Sequence, residues 1–452
     1  MAQKKCPLGL GKSSLATLRK IFQVIFWNRI FAIIIIKISI GLMKMRGVIK
    51  QIFIDNWERF CEINKGKIRA NINREVNKMI SCGSLDNGFI EFKCEECGEI
   101  KRVGFRCKSR FCTSCGKKKS EEWSDAMVAR LINSKHRKMV FTIPQELRIY
   151  FARDRKLLSL LPQCSAKAIM SWFKELNKKE CFTPGIISVI HTFGRDLKWN
   201  PHVHLIVTEG GAGKITAWKN RKHINYTALR KRWQKILLDE IGNNLKSDKK
   251  EFKRLKNELY KKLENGFYVY AKGEIKTAKE AARYVGRYTS RPAIAESRIK
   301  KYDGEKVTFC YERHEDGEKV EEEIDVIDFI GKVIRHIPEK SFMMIRYYGI
   351  YAKNTKHKNK FFKLVNEKVA EFKRKMNNWQ TRILLTFGIN PLRCEKCGAQ
   401  MKFHDIYYKN KSVREKLREK IMDENKRKIE ELMHNYGVIK GIIRDKIEPL
   451  YV

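Results

Sequence analysis

Two histidines and two tyrosines hold the chemistry that residue type and spacing permit in this chain. His202 and His204 flank Val203 in the segment Pro201-His202-Val203-His204-Leu205-Ile206-Val207, which is apolar except at the imidazoles and so predicts a buried strand. Strand side chains alternate faces, so both rings point the same way, about 7 Å apart along the chain. Two imidazoles so placed can grip one divalent ion. Tyr284 and Tyr288 stand four residues apart in Tyr284-Val-Gly-Arg-Tyr288; on a helix they share one face. A metal pair on a sheet and two phenols on a helix are the parts needed to break and rejoin a phosphodiester.

A phenol with its ordinary pKa of about 10 attacks poorly at neutral pH without help. Arg283, Arg287 and Arg291 bracket the tyrosines and can steady both phosphate and phenolate. The histidine pair needs a third ligand, and His191, on the preceding predicted strand, is the candidate. Imidazoles with an open coordination face suit an ion that polarises a phosphate oxygen. Mg²⁺ prefers oxygen ligands and Mn²⁺ tolerates nitrogen better, so the expected catalytic ion is Mg²⁺ or Mn²⁺. The ordinary alternative for the tyrosines is a pair of helix-face aromatics; the histidine pair argues against it.

A second constellation is made of thiols. Cys94-x2-Cys97 and Cys112-x2-Cys115 are two knuckles whose separation can place four thiolates around one tetrahedral Zn²⁺. Cys107 and Cys82 are extra: either replaces a nominal ligand or is a buried thiol. Four protein thiolates leave no open position for water, so the expected zinc is structural. Arg106, Lys108 and Arg110 lie between the knuckles and are candidate DNA contacts. Cys394-Glu-Lys-Cys397 is a lone knuckle. His404 could supply one missing ligand, with the rest coming from elsewhere in the fold or another subunit; an empty knuckle is the alternative.

These residues need elements to position them. Helical spacing runs from Met45 to about Ala70, and again from Glu121 to about Ser134. Arg137–Pro144 and Ile186–Thr192 predict strands, the second joined to the His202 strand through the turn-rich Gly194–Asn200 as an antiparallel hairpin. Leu147–Lys178 and a Lys-rich stretch at 217–265 predict helices, with a strand at Phe267–Ala271 between the latter and the tyrosines. Thr277-Ala-Lys-Glu280 has capping-box spacing and opens the tyrosine helix, which Pro292 should end. Val307–Tyr311 and Met343–Tyr348 predict later strands, and the tail from Lys353 is charged and helical. No internal repeat is present.

The chain has 452 residues, enough for two or three domains, and a formal net charge of +45 from 96 Lys+Arg against 51 Asp+Glu. Such a charge favours a polyphosphate partner. Thirteen cysteines, six of them in Cys-x-x-Cys pairs, fit metal binding in a reducing compartment rather than a disulfide framework. Residues 21–42 imitate a membrane span, but Asn28, Arg29 and Lys37 interrupt them before the roughly 18–20 apolar residues a span requires. The expectation is that residues 1–44 are an extension from an upstream start codon, with Met43 or Met45 as the first residue, and that no membrane is involved. No Gly-x-x-x-x-Gly-Lys-Ser/Thr loop is present, so neither ATP nor another small-molecule cofactor is expected.

Segment 82–116, with CGS, CEECG and RCKSRFCTSCG, resembles the zinc-binding domain of the insertion-sequence family 91 transposases. HTFGRDLKWNPHVHLIVTEGG (191–211) is similar to their histidine–hydrophobe–histidine segment. YVGRYTSRPAIAESRI (284–299) resembles their two-tyrosine motif, and IRYYGIYA (345–352) their closing strand. The likeness runs from about residue 45 to 405, with the motifs in the family's order.

The resemblance implies a two-tyrosine HUH transposase that acts on single-stranded element ends and target DNA by a rolling-circle route through 5′-phosphotyrosine. It implies an α+β fold: an HUH nuclease core with an antiparallel sheet flanked by helices, preceded by a small four-cysteine zinc-binding module and followed by a helical basic tail. The corresponding regions are 45–135 (zinc-binding), 136–352 (transposase, with a basic helical insertion at about 217–265) and 353–452. His202 and His204 carry over as metal ligands, Tyr284 and Tyr288 as nucleophiles, and His191 matches more loosely the third histidine of relaxases. The expected setting is cytoplasmic, on a bacterial-type nucleoid. Two rivals are a rolling-circle replication initiator and an inactive, transposase-derived zinc DNA-binding protein.

Overall fold

The computed structural model describes residues 47–128, 130–132, 134–221, 223–275, 280, 284, 286, 292–313, 316–355, 380, 384, 390–409 and 411–447. Residues 1–44, Tyr288, Arg283, Arg287 and Arg291 lie outside the described residues.

Nine helices named here, α1 (Val48–Ile63), α2 (Ala70–Ile80), α3 (Thr113–Val128), α4 (Arg148–Arg153), α5 (Leu160–Lys174), α6 (Tyr226–Asn244), α7 (Lys249–Lys262), α8 (Val326–Ile334) and α9 (Val413–Ile447), accompany three antiparallel sheets. The fold is α+β. In α1, Ile49, Ile52, Phe53, Asn56, Trp57 and Phe60 are buried, the three- and four-residue spacing of one helical face. That face packs with α8 and with a small sheet of β8 (Ile299–Tyr302), β9 (Lys306–Glu312) and β10 (Lys319–Asp325). Asp325 caps α8 by accepting from the Ile327 amide at 2.7 Å, which satisfies one of the free amides of its first turn.

The main sheet has the order β11 (Ile345–Gly349), β4 (Thr183–Phe193), β5 (Trp199–Ala212), β3 (His136–Thr142), β7 (Val269–Ile275), with the short β6 (Lys219–Asn220) on β5. All of these pairings are antiparallel. Alternation gives each face its own task. Met139, Phe141, Ile186, Val203, Leu205, Val207 and Val269 face a core built with α5, α6 and α7. Trp233 of α6 is fully buried there, edge-on to Phe141 at 5.3 Å, and its indole N–H donates to the Thr142 carbonyl at 2.8 Å. Each such side chain removed from water stabilises the fold by about 1.5–3 kcal/mol. The opposite face carries Ile187, Val189 and Ile206, which pack with Met127 of α3, Leu131, Ile132 and Tyr284. The histidines stand on this second face.

The expected hairpin, strands and Lys-rich helices of the middle region are present, while two boundaries differ. α3 begins at Thr113, inside the second knuckle rather than at Glu121, because metal-ligand spacing and helical spacing overlap there. In the tail, Gln380 and Leu384 are helical among the described residues, and the long helix α9 starts at Val413. Before it, β12 (Met401–Tyr408) and β13 (Lys411–Ser412) join β1 (Phe89–Cys94) and β2 (Ile100–Gly104) in one sheet, ordered β13-β12-β1-β2. The charge of residues 401–412 hid a half-exposed strand, whose partner lies some three hundred residues earlier in the chain.

Candidate active site and cysteine centres

β4 and β5 bring three imidazoles together. His191 lies opposite His202 in the strand register, and His204 follows on the same face of β5. Ring centroids are 5.3 Å apart for His191–His202, 4.5 Å for His191–His204 and 4.9 Å for His202–His204. One nitrogen from each falls within 4.8 Å of the others, a grouping that can hold a metal ion. Val203 and Leu205, locked in the core on the reverse face, fix the strand that aims the rings.

His202 and His204 are held neutral. Burial brings the His202 pKa down to about 4. Burial also drives His204 well below its ordinary value, with the proximity of His191 and His202 adding to the effect. Hydrogen bonding then fixes the tautomers. Asn200 O can only accept, so the 2.7 Å contact with His202 Nδ1 places the proton on that nitrogen. His202 Nε2 is therefore an acceptor, and His204 Nε2 donates to it across 3.0 Å. His204 Nδ1 is left to accept from the Tyr284 hydroxyl at 2.9 Å. Tyr284, His204, His202 and the Asn200 carbonyl form one chain of hydrogen bonds.

Tyr284 is buried against the same sheet face. Lys138, on β3, sets its ammonium 4.6 Å from the centre of the Tyr284 ring. Sequence reasoning missed Lys138. Its only signal was alternation: buried Met139 and Phe141 turn residue 138 to the other face, and strand pairing alone aims it at the tyrosine. Gly286 touches α3, where Ser120 Oγ donates to its carbonyl. A Cβ at Gly286 would fall 1.8 Å from Ser124 Oγ, so glycine permits this approach.

The cysteines group differently from the expectation. Cys82, Cys107, Cys112 and Cys115 form one cluster, and Cys94, Cys97, Cys394 and Cys397 form another. The expected set of Cys94, Cys97, Cys112 and Cys115 around one ion is thus corrected. β1 and β12 pair so that the first knuckle meets the last, not the second. Cys82 and Cys107, read as extras, complete the cluster of Cys112 and Cys115, with Sγ–Sγ separations of 3.6 Å (Cys82–Cys115) and 3.7 Å (Cys107–Cys115). His404 is not in either cluster; it faces Glu91 at 3.9 Å. The readable signal was likeness between Cys94-Glu-Glu-Cys97-Gly98 and Cys394-Glu-Lys-Cys397-Gly398. Of the candidate DNA contacts here, Arg106 and Lys108 are exposed. Arg110 is half-buried, and burial lowers its pKa.

No helix among the described residues is long and apolar enough to cross a membrane. A family model described as "Transposase zinc-binding domain" matches residues 52–143, and one described as "Putative transposase" matches residues 185–359. The chain is 29% identical over 377 residues to "Transposase for insertion sequence element IS801" of Pseudomonas savastanoi pv. phaseolicola, covering 78% of this chain and 88% of that protein. It is 26% identical over 277 residues to "Putative transposase y4qJ" of Sinorhizobium fredii (strain NBRC 101917 / NGR234), covering 57% of this chain and 68% of that protein. No solved structure matches the chain. The two domain matches and the relatives agree with the motifs: the chain belongs to the insertion-sequence family 91 transposases, with a transposase zinc-binding domain ahead of its transposase domain.

Proposed function

We propose that this protein nicks and rejoins single-stranded DNA through 5′-phosphotyrosine intermediates, mobilising an insertion sequence by a rolling-circle route. The observation that carries this reading is the Tyr284 hydroxyl 2.9 Å from His204, within a group of three imidazoles able to hold a metal ion. His202, His204 and His191 would hold Mg²⁺ or Mn²⁺; three imidazole nitrogens gathered on one sheet face fit a cation. The ion would polarise the scissile phosphate. His204 links the two parts. With Nε2 committed to a cation, its proton sits on Nδ1 and is donated to the Tyr284 oxygen, favouring the phenolate.

Tyr284 Oη then attacks phosphorus, the bond from phosphorus to the 3′-oxygen breaks, and that oxygen leaves as a 3′-hydroxyl after taking a proton. The DNA 5′-phosphate remains esterified to the tyrosine, conserving the bond energy for rejoining. Tyr288 is assigned the second transfer. Lys138 favours negative charge on the attacking oxygen, and Arg283, Arg287 and Arg291 would neutralise phosphates. Zinc held by the cysteines, with Arg106, Lys108 and Arg110 beside them, would hold an element end.

Two exposed tyrosines support a single-stranded substrate. Tyr268 and Tyr270 lie near-parallel with ring centroids 6.4 Å apart, and Arg230 sits 4.8 Å over Tyr268. Register puts Thr142 beside His202 and Tyr268, and Val140 beside His204 and Tyr270. The tyrosines therefore share the histidine face of the sheet, two strands away. Unpaired bases stack on such aromatics, whereas a duplex keeps its bases inside.

The test is a denaturing-gel assay for covalent adducts between the purified protein and single-stranded DNA from both flanks of its gene, with Mn²⁺ or Mg²⁺. A metal-dependent adduct is expected, retained in Tyr288→Phe, reduced in Tyr284→Phe, where Tyr288 alone can attack, and lost when both are changed. It should also be lost in His202→Ala/His204→Ala. DNA binding without an adduct, on flanks that contain the element ends, would sink the proposal in favour of an inactive DNA-binding protein.

A further inference from the structure

We propose that Cys94, Cys97, Cys394 and Cys397 hold a second zinc ion, which clamps the C-terminal segment onto the zinc-binding domain. Cys394 and Cys397 lie beyond both family matches, which end at residues 143 and 359. Cys94 Sγ is 3.5 Å from Cys397 Sγ, and Cys97 Sγ is 3.6 Å from Cys394 Sγ. Four sulfurs at the usual zinc–sulfur distance of about 2.3 Å stand about 3.8 Å apart in a tetrahedron, close to this spacing. No pair is near disulfide contact, which needs about 2.05 Å. The chemistry is that of a structural zinc centre: four soft thiolates and no open position. Each thiol releases its proton as the ion enters.

The two knuckles are built alike. The Cys94 amide donates to Glu99 O at 2.9 Å and the Gly98 amide to Cys94 O at 3.0 Å. The Cys394 amide donates to Ala399 O at 2.8 Å and the Gly398 amide to Cys394 O at 3.0 Å. Gly98 and Gly398 have φ of 73° and 78°, where a side chain would be strained. Two matching turns thus face each other, one from each end of the described chain. β1 and β12 continue the join with antiparallel pairing, Cys94 opposite Met401. Salt bridges cross it as well, from Lys101 to Glu395 at 2.7 Å and from Lys402 to Glu95 at 2.5 Å.

The apolar cluster at this join is small: Phe92, Cys94, Cys394 and Met401 are its buried members. It has to offset the conformational entropy lost when the C-terminal segment is ordered against β1 and β2. Exposed salt bridges add little. A cluster that size does not hold a four-stranded sheet alone, and small folds of this kind use metal as the staple. The clamp is independent of the catalytic reading, because it rests on a different sheet and different residues.

Zinc is counted by plasma mass spectrometry on the full-length chain and on three paired variants: Cys94→Ser/Cys97→Ser, Cys112→Ser/Cys115→Ser and Cys394→Ser/Cys397→Ser. The expected result is two zinc ions per chain in the parent and one in each variant. Combining the first and third pairs should still leave one ion, because both ruin the same centre; combining the first and second should leave none. A parent with a single zinc, a Cys394/Cys397 variant that keeps two, or loss of both ions from the first-plus-third combination would each overturn the clamp. Cys397→His, which keeps a zinc-binding side chain, should hold two ions and separates ligand loss from misfolding. Light scattering should give the same molar mass for the parent and the Cys394/Cys397 variant. A dimer present only when that zinc is bound would show the knuckles pairing between copies, and would equally overturn a clamp within one chain.

Discussion

At the scale of single residues, His204 matters because its two nitrogens face two different partners. One meets His202 and the other meets the Tyr284 hydroxyl, so a cation bound at the imidazoles would be felt at the proposed nucleophile through one ring. Lys138 acts on the same phenol from its face. A cation against an aromatic ring contributes roughly 0.5–2 kcal/mol, more when desolvated. Lys138→Met keeps the length and apolar stem but removes the charge. It is expected to slow adduct formation by about tenfold, the rate equivalent of about 1.4 kcal/mol, with DNA affinity changed far less. Single-turnover rates at saturating protein read the first effect and filter binding the second. An unchanged single-turnover rate would show that Lys138 only packs against the ring.

At the scale of elements, α3 is the piece that links a cysteine cluster to the segment of Tyr284. It starts within the cluster of Cys82, Cys107, Cys112 and Cys115 and carries Ser120 and Ser124, which meet Gly286. The zinc-binding domain therefore buttresses the segment that presents Tyr284. Gly286→Ala would drive a methyl onto Ser124 Oγ, and overpacking of this kind costs about 1–3 kcal/mol. The expected outcome is a clear fall in adduct yield with the fold retained. Adding Ser124→Ala removes the nearest clash and leaves the Ser120 carbonyl and the Cβ of residue 124, each at 3.2 Å, so the double variant should recover part of the loss. Equal activity of Gly286→Ala and the parent would show that this contact does not position the proposed nucleophile.

At the scale of the whole molecule, a net charge of +45 is held compact by cores that tolerate little protonation. Burial lowers the His136 pKa to about 4 and the His336 pKa to about 3. His336 is bound between Thr192 Oγ1 and the Leu197 carbonyl, and His136 contacts the Tyr351 hydroxyl at 2.7 Å. Their ordinary value, 6.5, is that of the unfolded chain, which therefore takes up protons first as pH falls. The stability they contribute is complete above pH 6.5 and is lost as pH drops through 6.5 towards 4 and then 3. The loss is on the order of a few kcal/mol for each histidine. Denaturant midpoints compared between about pH 7 and pH 5 should fall for the parent and fall less for His336→Gln. Equal falls in the two proteins would remove His336 from this account.

The chain's own order of residues determined much of this protein. Period-2 alternation set His202 and His204 on one face, and the hairpin between Ile186 and Val207 followed from two apolar runs about a turn. Helices α1, α5, α6 and α7 were legible for the same reason: periodicity is a local property, fixed by bond geometry over a few residues. Partners far apart in the chain were not legible. Local spacing made each Cys-x-x-Cys a two-ligand unit, yet nothing local says which two units meet. Pairing of β1 with β12 decided that, joining Cys94 and Cys97 to Cys394 and Cys397 and leaving Cys82 and Cys107 to complete the other centre. The same holds for Lys138 on Tyr284 and for α3 against Gly286. Such contacts depend on how sheets and helices dock, and docking is settled by buried surface summed over the whole fold.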